Sequence, residues 1–437
     1  MNSDLNVKNL CENNESCQEE TEKNKEEEEE LKIFTYHFKN CLSNKDISNE
    51  EKIKIPKKRT LPIADSVISS LIIGPLVIGH WRGVWNLMDL YELPFSGLVC
   101  FLIGTGLHLI FVLSRELLHY YFAVIWRNSN PIGRAGYHFV RLLYTYIFSV
   151  TCNMQWRGGW IVLSSVMGEN EWTVSVVTIF LLSVLLILRS SRNLLAPPLI
   201  VIADLPSSIF KFPTRYRKNT RDWTLYALDC LFSVGIVGTL VVFVWRGIWV
   251  LLDLHLFPDN REYSSICSLI IGYVIVAITF CLQPVMRYAC SRIQGLPRLL
   301  AADAFLLLSF IGTVNVWRGV WSMLDLWFIP EDPELSCWIT HVGCFVFLGL
   351  LNCSNSILVR GVYIDAEEEE GRCVIFPCHY LRLFFKIERE KKEARRRNLM
   401  SIPRDYTENN GKDLESGALL NCTTLPTVIP SSQDHQG

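Results

Sequence analysis

The sequence predicts an all-α polytopic membrane protein: eight transmembrane helices as four parallel two-helix repeats, flanked by disordered cytosolic tails. Three observations predict it. Half of the 437 residues are hydrophobic, and they gather in stretches near the roughly 20 residues that a bilayer core requires. Charges collect at the ends and between those stretches. One five-residue pattern recurs four times, as Trp81-Arg82-Gly83-Val84-Trp85, Trp156-Arg157-Gly158-Gly159-Trp160, Trp245-Arg246-Gly247-Ile248-Trp249 and Trp317-Arg318-Gly319-Val320-Trp321.

Residues 1–60 read as a disordered cytosolic tail, low in apolar residues, acidic at Glu26 to Glu30 and closing on the basic cluster Lys52, Lys54, Lys57, Lys58 and Arg59. They hold no apolar signal-peptide core, so no cleaved signal peptide is expected. The transmembrane domain spans 61–365, with repeats at 61–118, 137–195, 222–293 and 300–362. Its eight apolar stretches lie within 62–91, 95–114, 139–167, 172–188, 223–257, 264–286, 302–329 and 337–359. Residues 366–437 form a cytosolic C-terminal tail.

Orientation follows from where positive charge accumulates. The linkers after the second, fourth and sixth stretches carry Arg127, Arg134 and Arg141, then Arg189, Arg192 and Arg215, then Arg287, Arg292 and Arg298. The opposite connections are short and acidic, with Arg261 as their one cation outside the motif. Both termini are therefore expected in the cytosol, and the sequons at Asn14, Asn352 and Asn421 are expected to stay unglycosylated.

Each repeat reads as a hairpin: a motif helix, an acidic turn and a plainer apolar helix. Asp89, Asp253 and Asp325 each lie eight residues after the first motif tryptophan, where the second repeat has Ser164. At the other end of the motif helices, Asp65, Asp229 and Asp303 recur, with Arg141 near that place in the second repeat. Only 13 to 15 residues separate these charged residues from the motif. As helix that rises about 20–22 Å, short of a hydrocarbon core of about 30 Å, so the motif arginines are expected inside the outer leaflet.

An arginine at that depth costs a few kcal/mol (about 3) unless it is paired or reaches water. The second tryptophan lies three residues on, within reach of a guanidinium–indole contact. The aspartate lies seven residues on, about 10 Å along the axis, too far for an easy bridge within one helix. Arg–Asp bonds between neighbouring repeats are expected instead. Because its own repeat lacks the aspartate, Arg157→Leu is expected to be the best tolerated of the four arginine losses. Two readings of the motif stand side by side. In one, Trp81, Arg82, Trp85, Asp89, Trp156, Arg157, Trp160, Trp245, Arg246, Trp249, Asp253, Trp317, Arg318, Trp321 and Asp325 form an interfacial anchoring belt or interhelix glue. In the other, the same residues make an anion site or pore. The motif glycines are expected to permit close helix packing. Repeats of two spans enter the membrane in one direction, so a pseudo-fourfold or a two-plus-two bundle is allowed.

No P-loop, GxSxG, HExxH or dinucleotide glycine pattern is present. Neither enzymatic activity nor a cofactor or metal is expected. His80, His108 and His341 read as packed, hydrogen-bonded histidines. A net charge of −2 gives no case for nucleic acid. Cys267 and Cys337 are close enough to outer helix ends to raise a disulfide. Segment 379–400 reads as an amphipathic basic helix on anionic cytosolic lipid, with Cys373 and Cys378 placed for S-acylation.

The fourfold motif with its downstream aspartate resembles the fuseless family of invertebrate multipass proteins over about residues 60–365. The resemblance implies a presynaptic plasma-membrane protein that supports transmitter release and organises voltage-gated calcium channels, with those channels or active-zone proteins as partners. It carries over no catalytic residue. A transporter or channel using the motif arginines is the alternative.

Overall fold

The computed structural model describes residues 60–91, 96–218, 220–378 and 380–400. The expectations for Glu26 to Glu30, the Lys52 to Arg59 cluster, the sequons at Asn14 and Asn421 and the tail beyond Met400 fall outside the described residues. Among those described there is no strand. The long helices are α1 (Leu61–Leu90), α2 (Gly97–Ile125), α3 (Pro131–Met167), α4 (Glu171–Ile187), α5 (Trp223–His255), α6 (Arg261–Arg292), α7 (Gly295–Trp327), α8 (Pro333–Leu350) and α9 (Tyr380–Met400).

Their starts are set locally. Ser96, Asn130, Asn170, Asp222, Asn260 and Asp332 each accept a hydrogen bond from the backbone N–H three residues on. These caps satisfy first-turn donors that have no partner within the helix. The motif helices stop alike. Twelve residues after the first tryptophan, Gly168, Phe257 and Ile329 take φ of 63°, 50° and 53°. Glycine adopts that conformation freely, whereas Phe257 and Ile329 hold it at a cost of about 1–3 kcal/mol.

Among the described residues six helices, α1, α2 and α5 to α8, are long and apolar enough to cross a membrane. The expected eight crossings are thus not all met on length and composition. Helix α4 is apolar but has 17 residues. Helix α3 buries Thr145, Ser149, Thr151, Asn153 and Gln155, which dilute its apolar character.

Motif helices α1, α3, α5 and α7 line the centre and α2, α4, α6 and α8 surround them. The expected hairpin is not the packing unit. Helix α2 packs chiefly on α3, α4 on α5, α6 on α7, and α8 closes the circle on α1. The motif glycines make these seams. A Cβ on Gly83 would lie 2.6 Å from the His341 nitrogen, and one on Gly319 2.7 Å from Leu269 Cα. Gly158 abuts Phe101, and Gly247 abuts Thr178. In lipid, helix association rests on such close approach rather than on hydrophobic burial. The peripheral helices turn Leu102, Ile110, Val176, Phe180, Ile270, Val274, Val346 and Phe347 outward, an apolar coat suited to acyl chains.

Two segments depart from the sequence reading. The last expected stretch, 337–359, is helical only to Leu350. Beyond it, and likewise beyond α4, the chain passes a left-handed residue (Asn352, φ 53°; Arg189, φ 48°) into a buried 3₁₀ turn (Ser354–Ile357; Ser191–Leu194). Each turn is capped by an aspartate from the other segment. Asp365 accepts from the Ser191 and Arg192 nitrogens at 2.7 and 2.8 Å. Asp204 accepts from those of Ser354 and Asn355 at 3.1 and 2.9 Å. Non-helical backbone inside a bundle survives only when its polar groups are met by protein. Arginines read as linker charge serve this purpose: Arg189 Nη2 donates to the Asp365 carbonyl at 2.6 Å and Arg215 Nη2 to that of Leu188 at 2.8 Å.

The recurrent inner aspartates do related work. Asp229 accepts from the Tyr216 and Lys218 nitrogens, both at 2.9 Å. Asp303 accepts from Ser191 Oγ at 3.3 Å. Asp65 binds the start of α9, accepting from the Leu381 nitrogen at 2.5 Å and Arg382 Nε at 2.7 Å. Helix α9 leaves that anchor with Phe384 and Phe385 exposed.

The structure bears on both cysteine possibilities. Cys267 and Cys337 are free thiols. Cys373 and Cys378 are buried, and burial pushes the Cys378 thiol up to about 11, which leaves neither placed for acylation.

Gly319→Ala should destabilise the bundle by about 1–3 kcal/mol through overpacking of the α6–α7 seam. Gly343→Ala, where nothing lies within 4 Å of the new Cβ, should be neutral. Thermal unfolding in detergent compares the two. Asp204→Ala should leave the Ser354 and Asn355 amides without their acceptor and speed their hydrogen exchange at least tenfold, read by exchange mass spectrometry.

Candidate functional site

The cyclic packing of helices brings the four motifs together at one end of the bundle. The first tryptophans form a ring: Trp81, Trp156, Trp245 and Trp317 meet edge to face in sequence, with centroids 5.4–5.7 Å apart. One helical turn on, Trp85, Trp160, Trp249 and Trp321 form a second ring at 5.7–6.0 Å. Edge-to-face pairs each contribute about 0.5–1.5 kcal/mol beyond their burial. The two layers fill the bundle axis with indole.

This overturns the anchoring-belt reading of the motif tryptophans, since they point inward. The other five, Trp126, Trp172, Trp223, Trp327 and Trp338, are 39–77% exposed near helix ends, where tryptophan suits a membrane interface. The intrahelical guanidinium–indole contact is also not formed: among the described residues, no motif arginine stacks on a ring.

The arginines point away from the axis, each into a neighbouring repeat. Arg82 Nε donates to Asp325 Oδ1 at 2.8 Å, Arg157 Nε to Asp89 Oδ1 at 2.7 Å, and Arg318 Nε to Asp253 Oδ1 at 2.7 Å. Arg246 Nε reaches Ser164 Oγ at 3.2 Å, and its Nη2 donates to the Gly168 carbonyl at 2.8 Å. Every motif thus grips the repeat before it in sequence, and the first grips the last. The odd arginine is therefore Arg246, not Arg157. Pairing runs between repeats, so the aspartate absent from repeat two is missed by repeat three.

Hydroxyls complete two of the sites. Arg82 Nη1 donates to Ser336 Oγ at 3.0 Å. Arg318 donates to Ser268 Oγ at 2.7 Å and Ser264 Oγ at 2.6 Å. Arg157 Nη1 has no partner. Arg261, the one cation of the acidic connections, meets the far oxygen of Asp325 at 3.2 Å.

Below the first ring lies a cavity of about 120 Å³. Indoles roof it; Val77, Val112, Val237 and Val241 wall it; the two non-helical segments floor it. Those segments also take the roof's donors. Trp81 Nε1 donates to the Ile357 carbonyl at 2.8 Å, Trp245 Nε1 to Leu194 at 3.0 Å, and Trp317 Nε1 to Pro197 at 2.7 Å. His108 bonds Gln155 Oε1 at 2.7 Å beside it, and His80 bonds Ser149 Oγ and the His341 carbonyl, both at 3.0 Å. Both ring nitrogens of His341, in contrast, have no partner. Among the described residues no cluster of His, Cys, Asp and Glu has metal-binding geometry.

The sequence reading missed Asp204, Asp365 and the cavity. Their signal is the matched runs Ser190-Ser191-Arg192-Asn193-Leu194-Leu195 and Cys353-Ser354-Asn355-Ser356-Ile357-Leu358, small and polar residues leading into apolar ones after the fourth and eighth helices.

The comparisons agree with the motif. Residues 60–358 match the family model described as Fuseless. No curated protein and no solved structure matches the chain.

Ser164→Asp should give Arg246 the carboxylate its counterparts have and raise stability by about 1–2 kcal/mol. Among Arg→Leu variants, Arg246→Leu should lose least surface expression, since the other three each break an ion pair to a carboxylate. Thermal unfolding and surface labelling of the five variants read both outcomes.

Proposed function

The chain belongs to the Fuseless family, and from that membership we propose a non-enzymatic multipass plasma-membrane protein that organises the presynaptic membrane and supports synaptic transmission, through the localisation of voltage-gated calcium channels. The filled axis is the observation that carries the non-transport part of this reading. Two layers of indole occupy it, and three of the four motif arginines already bind carboxylates. Both features support reading the motifs as packing and pairing elements.

The proposal includes eight crossings as four two-helix repeats entering in one direction, with α3 and α4 crossing as part of the ring although they fall short alone. It also includes cytosolic termini. The binding of Asp65, near the start of α1, to the start of α9 supports placing both ends of the domain on one face, the face where linker arginines accumulate. Helix α9, with Phe384 and Phe385 exposed beside Arg389, Arg395, Arg396 and Arg397, is suited to anionic cytosolic lipid.

A transporter remains the second reading because Arg246 lacks a carboxylate and a cavity lies on the axis. Reconstituted liposomes decide between them. The organiser predicts no flux of chloride or small organic acids above empty vesicles and co-purification of calcium-channel subunits from synaptic membranes. Selective flux lost on Arg246→Gln would replace it with the transporter.

A further inference from the structure

The second repeat breaks the pattern at the end of the bundle opposite the motifs. There Asp65, Asp229 and Asp303 each accept hydrogen bonds from another part of the chain. The second repeat has Arg141 instead. Arg141 is 9% exposed, and among the described residues its guanidinium makes no hydrogen bond or ion pair; its Nε is buried without a partner.

Its neighbours sharpen the anomaly. Tyr137 and Tyr144, about one helical turn to either side on the same face of α3, bury hydroxyls that likewise have no partner. The Tyr144 hydroxyl lies beside Arg360, whose Nη groups donate to the Ile209 and Ser208 carbonyls and whose Nε has no partner. Arg127 adds another positive charge near Tyr137. The one carboxylate reaching this group is Asp204. Both its oxygens are occupied, by the Ser354 and Asn355 nitrogens and side chains. The phenol oxygens can accept as well as donate, but among the described residues no carboxylate is free to balance the guanidinium charge. With its Nε buried and its charge unpaired, Arg141 would gain from a bound anion.

We propose that Arg141, Tyr137 and Tyr144, with Arg127 at the edge, form a binding site for a phosphate-bearing anion. Phosphate fits because its several oxygens accept from donors arriving from different directions, including a bidentate guanidinium. Two sources share that chemistry: the headgroup of an anionic phospholipid in the leaflet at this end, and free phosphate. The site is distinct from α9.

The test uses the full chain, delipidated in detergent, and its unfolding temperature. Dioleoylphosphatidylserine should raise it by about 5 °C, and Arg141→Gln should lose at least half of that rise. Without lipid, Arg141→Gln should melt no lower than wild type, because it removes an unpaired charge; a purely structural arginine would behave oppositely. Tyr137→Phe serves as the milder variant should Arg141→Gln fail to fold, and should also lose part of the rise. A variant with Arg395, Arg396 and Arg397 all changed to Gln should keep the Arg141-dependent part. An equal Arg141-dependent rise with inorganic phosphate assigns the site to a soluble anion, and a rise confined to the lipid assigns it to a headgroup. A rise of the same size in wild type, Arg141→Gln and Tyr137→Phe overturns the proposal.

Discussion

A guanidinium inside a bundle coated with hydrocarbon-facing side chains must find an acceptor, and here every motif arginine finds it on another repeat. Arg157 reaches Asp89, Arg318 reaches Asp253, Arg82 reaches Asp325, and Arg246 settles for Ser164 and a carbonyl. Because each grip points the same way round, four local pairings amount to one closed ring. The closure joins the first repeat to the last, so no repeat is left as an open end. The motif glycines sit beside the arginines for a related reason: only where the backbones nearly touch does the guanidinium reach past its own helix.

With the arginines drawn outward, the tryptophans are left facing the axis. An indole is large, rigid and carries one donor. Four of them edge to face tile a small square, and a second layer a turn away repeats the tiling. The inward donors then need acceptors from below. The two non-helical segments supply carbonyls at Ile357, Leu194 and Pro197, and Asp204 and Asp365 make such backbone tolerable at that depth by capping each other's segments. The fourfold order of the motif end thus passes into a twofold order at the other end, where the segments after α4 and α8 correspond.

The polar content of the interior is mostly satisfied, and among the scattered exceptions, Arg157 Nη1 and the His341 ring included, four lie near one another. Tyr137, Arg141, Tyr144 and Arg360 share one region next to the segment capped by Asp204. The divergence of the second repeat therefore acts at two places. At the motif end, Ser164 withholds a carboxylate from Arg246. At the opposite end, Arg141 replaces an anchor with a donor.

Family, helical class and the importance of the four motifs were legible in the sequence alone, because a repeated five-residue pattern and apolar stretches of bilayer length are local signals. So was the need for bonds between repeats, since seven residues of helix separate Arg82 from Asp89 too far to bridge. Which repeat answers which was not legible. The direction of the ring, the inward turn of the tryptophans and the choice of Arg246 as the odd cation depend on α8 packing against α1, a contact between chain segments more than 240 residues apart. The re-entrant ends of 188–213 and 351–365 were hidden for the same reason. Their polar residues read as linker until the partners Asp204 and Asp365, supplied from across the bundle, bring their backbone inside. Periodicity tells a chain which residues to bury, and only the assembled bundle supplies the acceptor that each buried donor meets.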